Sequence, residues 1–455
     1  MGKQSKRLGE VLIKNGVLTE EHLKNALEIQ KKEGGLIGEI LLKNGFISEK
    51  DIVAALVKQR EYIYVKEETA AELLIKRILI TITSLLLTIT ALSLSDFLPF
   101  IKSMDRAFYG ALLNAEYILR RPPRAINDIL LVTIDNETLE RMPHKWPYPR
   151  SDFVTVIKNL KKSDPWVIAF DFAFYGKSND PENVMLENAL KSDPQIVGAI
   201  AINERGELDF SNNLAAKETT TGIITKLQDS DEIMRRCLTY LISGDKNDPG
   251  RAFLSWEMQM LKAAKGIDIE SFDSEGSTLK FRSQSGKEWV IPVDSDTKSF
   301  LIRFRARTRD FQRISFYRVL KGDFDPWMVR NKIIIIGVAS ALLQDLQRTS
   351  IGWVPGITLN ANAFLTLYTG IFLKNAPKYL EYLILVIGVM LAAFFMTALS
   401  FWRTAAFILI EIAAFFILSY ILLLHGYIWN YALFVLLISA LPLVSKKIVY
   451  YLKPA

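Results

Sequence analysis

Apolar side chains recur three and four residues apart through the first sixty positions of this chain, which is the spacing of amphipathic helices. The pattern occurs twice, because residues 7–30 and residues 36–59 match at ten of twenty-four positions. Each copy predicts a short helix, a turn at Gly16 or Gly45, and a second helix. A unit this short cannot bury its apolar face alone, so we expect the two copies to pack on each other.

Longer apolar stretches follow, and four of them are long enough to cross a membrane. The first is residues 78–95, and three more follow Lys378 and end at Val444. Each has about 18 to 22 residues, enough to span about 30 Å of hydrocarbon as a helix. We therefore expect four transmembrane helices. Basic residues such as Lys76 and Arg403 favour a cytoplasmic location for both termini and an external location for the segment after the first helix.

The segment expected outside the membrane alternates strand-like and helix-like stretches. Near-continuous apolar runs are typical of strands covered on both faces, so we expect an α/β core with such a sheet. Residues 301–309 alternate strictly instead, which predicts a strand with four arginines on one face. That face suits either an anionic ligand or a solvated edge strand. The apolar runs are residues 128–135, 166–174, 195–202 and 332–339.

Composition narrows the functional class. A hydrophobic fraction of 50% with positive mean hydropathy fits a membrane protein, and a net charge of +7 without a basic tail predicts no nucleic-acid partner. Cys237 is the single cysteine, so it forms no internal disulfide and is expected as a small buried side chain. The histidines His22, His144 and His425 lie far apart in the sequence. We therefore expect no catalytic residues, no metal ligands, no cofactor and no enzymatic activity.

Both repeat copies carry Gly-Glu pairs, Lys-Asn-Gly turns and a closing glutamine among regularly spaced leucines and isoleucines. This set resembles the tandem motif of the MshEN domain, the N-terminal module of type II secretion and pilus ATPases, which binds cyclic di-GMP in some members. One position departs from the motif, because Leu36 stands where the arginine of the second copy is expected. The cyclic di-GMP-binding residues that the resemblance implies are Arg7, Leu8, Gly9, Leu12, Leu23, Leu27, Gln30, Ile37, Gly38, Leu41, Ile52, Leu56 and Gln59.

The chemistry of such a site is coherent, because cyclic di-GMP carries two guanines and two phosphates in approximate two-fold symmetry. Glycines let backbone N–H groups approach a phosphate, leucines cover purine faces, Arg7 pairs with a phosphate or a guanine edge, and glutamine amides bond the bases. Losing the second arginine removes a charge-assisted contact worth about 1.5–3 kcal/mol, unless Lys32 substitutes for it. The alternative is a module that docks a secretion or pilus protein and binds no nucleotide, with its leucines serving only as core residues.

Five blocks occur in order along the outer segment: TIDNETLERM, WPYPR, VIAFDFAF, FLIRFRARTRDFQRISFYRVLKG and KIIIIGVASALLQDLQRTSIGWVPGITLNANAF. They resemble a CHASE-family sensory domain of the second type, which is found outside the membrane in bacterial receptors. The resemblance implies one transmembrane helix before the domain, three after it, and a homodimer. Such receptors commonly end in a kinase or cyclase, but here only SKKIVYYLKPA follows the last apolar stretch. We therefore expect the N-terminal repeat to be the cytoplasmic module.

Five residues of this outer segment are candidates for binding a sensory ligand. Asp135, Asp171 and Asp345 follow or adjoin predicted strands, and open α/β sheets bind ligands at the carboxyl ends of strands. These carboxylates suit a cation or a polar small molecule, or they are turn and cap residues. Trp146 and Arg150 lie in a proline-bracketed turn and serve either the ligand or the packing of that turn.

The expected fold class is a multidomain membrane protein with a small all-α tandem-repeat N-terminal domain, an α/β extracytoplasmic sensor domain and four transmembrane helices. We expect a receptor in the bacterial cytoplasmic (inner) membrane that couples cyclic di-GMP binding to the sensor domain and signals to a cytoplasmic partner. The expected ranges are residues 1–66 for the repeat domain, 67–77 for a linker, 78–100, 379–399, 404–424 and 427–444 for the transmembrane helices, 101–376 for the sensor domain and 445–455 for a cytoplasmic tail.

Overall fold

The structure of the protein is a computed structural model in which the chain divides into two compact units, Met1–Ile80 and Thr81–Ala455. The predicted cytoplasmic tail, residues 445–455, and the side chain of Gln59 lie outside the described residues. The described residues are 7–64, 70–95, 99–176, 180–203, 208, 213–214, 220–242, 251–267, 277–282, 288–396, 401–429, 434–435, 437–438, 440 and 444.

Five helices begin in the first unit: α1 (Leu8–Lys14), α2 (Glu20–Glu33), α3 (Ile37–Lys43), α4 (Glu49–Tyr64) and α5 (Ala70–Ser95). The first repeat copy supplies α1 and α2, and the second supplies α3 and α4. Because α1 packs on α4 and α2 packs on α3, the helices of each copy bury their apolar faces against those of the other. The pairing of the two copies that the sequence predicts is therefore present.

Glycine ends the first helix of each copy. Gly16 and Gly45 have φ values of +71° and +67°, a left-handed conformation that glycine adopts without steric cost. Thr19 then starts α2, because its side-chain oxygen accepts a hydrogen bond from the backbone N–H of His22 at 3.2 Å. The buried core of this unit is Val11, Leu12, Leu18, Ala26, Ile40, Leu41, Ile47 and Ala55.

Helices and strands alternate in the second unit. The helices that begin there are α6 (Pro99–Leu119), α7 (Asn136–Arg141), α8 (Arg150–Lys161), α9 (Pro181–Lys191), α10 (Trp256–Lys265), α11 (Phe316–Lys321), α12 (Gly356–Thr369), α13 (Lys378–Met396) and α14 (Phe401–Leu424). The strands are β1 (Ile129–Ile134), β2 (Val167–Phe170), β3 (Ile196–Ile200), β4 (Thr220–Ile223), β5 (Lys226–Gln228), β6 (Met234–Leu238), β7 (Tyr240–Ile242), β8 (Ala252–Leu254), β9 (Thr278–Arg282), β10 (Glu288–Pro292), β11 (Ser299–Leu301), β12 (Gln312–Ser315), β13 (Ile333–Val338), β14 (Leu346–Thr349), β15 (Gly352–Pro355), β16 (Lys374–Asn375) and β17 (Tyr427–Ile428).

Six strands form a parallel sheet in the order β12-β1-β13-β2-β3-β4. Successive side chains of β1 point to opposite faces, so Leu131 belongs to one buried core and Val132 to another. Helices α10 and α12 cover one face, and α8, α9 and α11 cover the other. The apolar runs predicted as strands form β1, β2, β3 and β13 of this doubly covered sheet.

A second sheet has the order β11-β6-β14-β15, with β5 beside β6. It lies against α12, which contacts β14 and β15 as well as β13. Residues of α12 are buried from Gly356 to Leu367. Helix α12 is therefore the buried element shared by the two sheets, and its N-terminal end lies where several candidate side chains meet.

Residues 301–309 do not form the predicted strand, because β11 ends at the first of them. The backbone N–H groups of Arg303 and Arg305 donate instead to Thr366 Oγ1 and Asn362 Oδ1 of α12, at 3.0 and 2.9 Å. These side chains provide the acceptors that a neighbouring strand would otherwise supply. Both arginines are buried, so the interpretation as a solvated edge strand is wrong for them.

The fold class expected from the sequence is wrong. The chain is mixed α/β with a parallel sheet, and among the described residues one helical stretch, Ala405–Leu424, is long and apolar enough to cross a membrane, where four were expected. The N-terminal unit extends to Ile80 and includes the start of α5, so a self-contained all-α repeat domain is not shown. The stretch expected as the fourth helix, residues 427–444, begins with strand β17, and many of its later residues lie outside the described part.

Candidate functional site

The two repeat motifs meet inside the first unit at their glycines. A Cβ atom at Gly9 would lie 2.6 Å from Leu23 Cδ1, so any side chain at residue 9 would require the Leu23 side chain to move. A Cβ atom at Gly38 would lie 3.5 Å from Leu8 Cδ2 and 3.6 Å from Ile52 Cδ1. Leu8 belongs to the first copy and Gly38 to the second. The structure therefore brings the two predicted half-sites into contact.

Equivalent motif leucines lie at equivalent depths in the two copies. Leu27 is 48% exposed and its counterpart Leu56 is 47% exposed. Leu12 and Leu41, by contrast, are fully buried in the core, so they support the surface and offer no area to a ligand. Of the other implied residues, Arg7 is exposed, Gly9 is buried, and the remaining described ones are partly buried: Leu8, Leu23, Gln30, Ile37, Gly38 and Ile52.

The two copies differ where a charge-assisted contact would form. Arg7 and Leu36 occupy the N-cap positions of α1 and α3, both with extended backbone. Leu36 is 69% exposed, so nothing in its surroundings requires a leucine. The amide nitrogen of Gln30 donates to the backbone carbonyl of Gly35 at 2.8 Å, which leaves the amide oxygen of Gln30 as the group oriented to accept a further bond.

Two of the predicted acidic residues meet at the N-terminal end of α12. Asp171 follows β2 and lies against β13, where a Cβ at Gly337 would be 2.7 Å from Asp171 Oδ2. Asp345 lies over the first residue of α12, where a Cβ at Gly356 would be 2.5 Å from Asp345 Oδ2. Asn360, one turn further along α12, donates a hydrogen bond to Asp171 Oδ1. The glycines therefore make room for two carboxylates beside one helix start.

The surroundings of Asp171 favour its neutral form. Burial raises the pKa of Asp171 well above its ordinary value, the charge of Asp345 raises it further, and the Asn360 hydrogen bond and Lys226 oppose the rise. Asn360 Oδ1 is buried and has no hydrogen-bond partner among the described residues. Such a site suits a polar molecule that can donate hydrogen bonds. Within the described part of the chain, no group of three or more His, Cys, Asp or Glu residues could hold a metal ion.

Asp135 is not part of that group and acts as a helix cap. Its carboxylate accepts hydrogen bonds from the backbone N–H of Thr138 at 2.9 Å and from the hydroxyls of Thr138 and Ser315 at 3.0 Å each. It also accepts a bond from Thr133 Oγ1 at 3.1 Å. These bonds start α7 and tie the ends of β1 and β12 together, as expected for an N-cap aspartate.

Trp146 and Arg150 pack against the two phenylalanines that follow Asp171. The Trp146 ring lies edge-on to Phe172 with centroids 5.5 Å apart. The Arg150 guanidinium lies 5.1 Å from the centroid of the Phe174 ring and donates to the backbone carbonyl of Tyr175 at 2.8 Å. Both residues therefore hold the loop after β2, and the structure gives them a packing role.

A buried ion pair lies nearby that the sequence did not predict. Lys226 Nζ is 2.8 Å from Glu257 Oε1, and the Cys237 thiol donates to Glu257 Oε2 at 3.1 Å. Burial and the charge of Glu257 raise the pKa of the Cys237 thiol well above its usual range. A thiol held protonated is a poor nucleophile. Cys237 is therefore a core residue, as predicted from its being the single cysteine.

A second buried ionic group joins α6 to the segment after β11. The Arg303 guanidinium donates to the Glu116 carboxylate from Nε at 3.0 Å and from Nη2 at 2.7 Å. Arg305 Nη1 lies 3.3 Å from the same carboxylate. Glu116 is fully buried. Sequence reasoning found the arginines but not their partner, because no local pattern marks a glutamate of α6 as a core residue.

A cavity of about 520 Å³ was also missed from the sequence. Its lining includes Tyr109 of α6, Arg235 of β6 and Trp429, which come from elements more than a hundred residues apart. The Tyr109 hydroxyl and Arg235 Nε are buried without a hydrogen-bond partner among the described residues. The volume is in the range that holds small molecules, and the two unpaired groups would orient a polar one.

Comparison with known protein families gives one match, to the CHASE2 domain, over residues 82–397. CHASE2 is an extracytoplasmic sensor domain, and the match includes the parallel sheet, the Asp171 and Asp345 pair and the Glu116 group. The repeat at residues 7–59 lies outside the match, so its resemblance to the MshEN domain stays a prediction. No curated protein and no solved structure matches the chain. Since the match covers more than half of the sequence, the chain belongs to the CHASE2 domain family.

Proposed function

We propose that this chain is a membrane receptor that binds cyclic di-GMP through its N-terminal unit and senses an extracytoplasmic stimulus through its CHASE2 domain. The observation that carries the nucleotide part is the matched exposure of Leu27 and Leu56, at 48% and 47%. Most leucines at helical spacing are buried, yet these two are half exposed at equivalent positions. Two equivalent apolar surfaces fit the two guanine faces of a two-fold symmetric ligand.

The surrounding groups supply the remaining contacts. Arg7 is exposed at the start of α1 and can pair bidentately with a phosphate or a guanine edge. Gly38 has no side chain to block its backbone, and a Cβ atom there would lie 3.5 Å from Leu8 of the other copy, so a ligand beside Gly38 would touch both copies at once. The site has a single motif arginine, which predicts weaker binding than a site with two.

The receptor works without catalysis in this proposal. The single thiol is buried and protonated, and Asp135 has its oxygens engaged in capping. No cofactor is invoked. The CHASE2 domain lies outside the bacterial cytoplasmic membrane, the repeat helices α1 to α4 lie in the cytoplasm, and helix Ala405–Leu424 lies in the lipid bilayer. Because α5 connects the repeat helices to the CHASE2 domain, this arrangement also requires the chain to cross the bilayer along α5. We also propose that the chain acts as a homodimer and signals to a cytoplasmic partner protein.

One observation favours the alternative function, a docking module that binds a protein and no nucleotide. Val53, Leu56 and Val57 of α4 are 61%, 47% and 56% exposed. Leu56 and Val57 lie three and four residues after Val53, so the three side chains form one apolar stripe on the helix. The equivalent positions of α2 carry Lys24 and Glu28 beside Leu27, so the stripe is confined to the second copy. An asymmetric apolar stripe fits a protein surface better than a symmetric nucleotide.

Titration calorimetry of the purified full-length chain with cyclic di-GMP separates the two functions. We expect binding that Arg7→Ala weakens about tenfold or more, because a charge-assisted contact is worth about 1.5–3 kcal/mol. Lys24→Ala, an exposed basic residue of α2 outside the motif, is the matched control and should leave the affinity unchanged. GMP, which lacks the two-fold symmetry, should bind much more weakly.

Val53→Ser combined with Val57→Ser tests the docking function on the same protein. These changes remove two of the three residues of the apolar stripe and leave Leu56, its one motif residue, intact. If the nucleotide proposal holds, the double variant still binds cyclic di-GMP with the affinity of the wild type. Two results together would establish docking as the function. The wild type would give no heat of binding with millimolar cyclic di-GMP, and the double variant would lose the cellular proteins that the wild type binds.

A further inference from the structure

One guanidinium nitrogen of Arg303 has no partner within the part of the chain that the structure describes. Its Nε and Nη2 bind Glu116, and Nη2 also donates to the backbone carbonyl of Leu423, near the end of α14, at 2.9 Å. Nη1 is buried and has no hydrogen-bond acceptor among the described residues. Arg303 is only 2% exposed, so bulk water does not replace the missing acceptor. Leaving a charged donor unpaired in the interior is costly.

The charges around Glu116 do not balance. Besides Arg303, the guanidinium of Arg305 lies 3.3 Å from the Glu116 carboxylate and that of Arg120 lies 3.7 Å from it. Among the described residues, one carboxylate therefore faces three guanidiniums, two of which are buried. Buried charge is stable when an opposite charge compensates it. This region consequently has an excess of positive charge that an anion would neutralise.

A cavity of about 350 Å³ lies beside this group, and Arg303 is part of its lining. Lys374 and His425 line it as well, and both are exposed. The other lining residues are glycine or apolar, among them Ile371 and Leu424, and none is acidic. The carbonyls at the end of α14 would repel an anion, but that of Leu423 is already bonded to Arg303.

We propose that this cavity binds a phosphate group through Arg303 and Lys374. A phosphate offers several acceptor oxygens, and guanidinium and ammonium groups recognise them by charge-assisted hydrogen bonds. The apolar part of the lining suits the carbon atoms of a molecule that carries the phosphate, as in a phospholipid headgroup. This cavity is separate from the proposed cyclic di-GMP site, because every residue that lines it belongs to the second unit.

The test uses the full-length chain purified in dodecyl maltoside, a detergent without phosphate. Native mass spectrometry counts bound phosphatidylglycerol, and calorimetry measures the binding of inorganic phosphate. We expect one phosphate-bearing molecule per chain, and we expect Lys374→Glu to weaken its binding about tenfold or more. Lys158→Glu is the matched control, because Lys158 is an exposed lysine of α8 whose charge change is the same.

The two ligands separate the possible sources of the phosphate. Binding of phosphatidylglycerol without binding of inorganic phosphate identifies a lipid headgroup, and saturation by inorganic phosphate identifies a soluble ligand. Absence of both overturns the proposal, as does equal binding by the wild type and Lys374→Glu. If Lys374→Glu lowers the melting temperature, His425→Ala provides a second variant, since it removes an exposed cavity side chain whose ring nitrogen Nδ1 bonds the Ile421 carbonyl of its own helix turn. The proposal is also overturned if a folded double variant, His425→Ala with Lys374→Ala, binds the phosphate-bearing molecule as tightly as the wild type.

Discussion

The Arg303 guanidinium binds the Glu116 carboxylate through two hydrogen bonds, and neither side chain is accessible to bulk solvent. The two residues are 187 positions apart in the chain. Because Arg303 also donates to Leu423, this ion pair connects α6, the segment after β11 and the end of α14. The ion pair therefore holds three elements together, and removing it should measurably lower the stability of the protein.

Glu116→Gln should destabilise the protein strongly. It removes the only carboxylate that faces Arg303 and Arg305 among the described residues, and an uncompensated buried charge costs about 3–5 kcal/mol. The measurement is the urea midpoint of the full-length chain in detergent. The control is Glu137→Gln, whose pair with the half-exposed Arg318 is worth about 0–1 kcal/mol. If the two variants lose the same amount of stability, the buried ion pair contributes no more to stability than the exposed one, and the prediction is wrong.

Leu36→Arg should tighten the binding of cyclic di-GMP. Leu36 lies at the N-cap of α3, in the position that Arg7 occupies in the first copy, and its side chain is 69% exposed. An arginine can therefore be accommodated without disturbing the core. A second charge-assisted contact should raise the affinity about tenfold or more. Calorimetry checks this against Val17→Arg, an exposed position outside the motif. An unchanged affinity would contradict the two-half-site geometry.

Asp171→Asn should make stability less dependent on pH. The folded-state pKa of Asp171 is raised above the unfolded value of about 3.9, so between these values the folded protein holds a proton that the unfolded chain has lost. Stability therefore falls as the pH rises through this window. Asp345, Lys226 and Glu257 also act on this site, and the variant leaves them in place.

The comparison is between the melting temperatures of the wild type and Asp171→Asn at about pH 5 and about pH 8. The wild type should lose more stability than the variant on going to the higher pH. Asp296→Asn, at an exposed loop position, should behave like the wild type. Parallel pH profiles for the wild type and Asp171→Asn would contradict the raised pKa.

Cysteine labelling should find α8 of the CHASE2 domain outside the membrane and α2 of the repeat inside it. The native Cys237 is fully buried, so the wild type gives little background with a membrane-impermeant maleimide. In intact spheroplasts, Lys158→Cys on α8 should react, and Lys24→Cys on α2 should react only after permeabilisation. Both positions are exposed, so folding does not mask them. Reaction of Lys24→Cys in intact spheroplasts would contradict the proposed topology.

The centre of the sheet could be predicted because strands covered on both faces leave continuous apolar runs. β1 and β13 consist of fully buried residues, and their runs are visible in the sequence. The edge strands β4 and β12 were not predicted, because each is short and partly exposed and so carries a mixed pattern. Residues 301–309 were predicted wrongly, because α12 side chains bind their backbone and no local pattern reveals such a partner.

The candidate sites were predictable only where local spacing determines them. Leu27 and Leu56 were found from helical periodicity, but the same periodicity also selected Leu12 and Leu41, which are fully buried. Whether a leucine is buried depends on how the two copies pack on each other. The spacing of residues along one helix gives no information about that packing. The partners of Arg303 and the cavity at Tyr109 depend on contacts between distant elements, so only the fold shows them.

Lys374 pairs with Tyr427 and Asn375 with Ile428, so the residues just before α13 and just after α14 lie side by side as two short strands. With the bond from Arg303 to Leu423, this pairing fastens the exit of α14 to the body of the second unit. Sliding of α14 along its own axis would have to break several hydrogen bonds at once. If the whole second unit tilts or rotates together with α14, none of these hydrogen bonds breaks. We therefore expect α14 and the body of the second unit to move together as one rigid body during signalling.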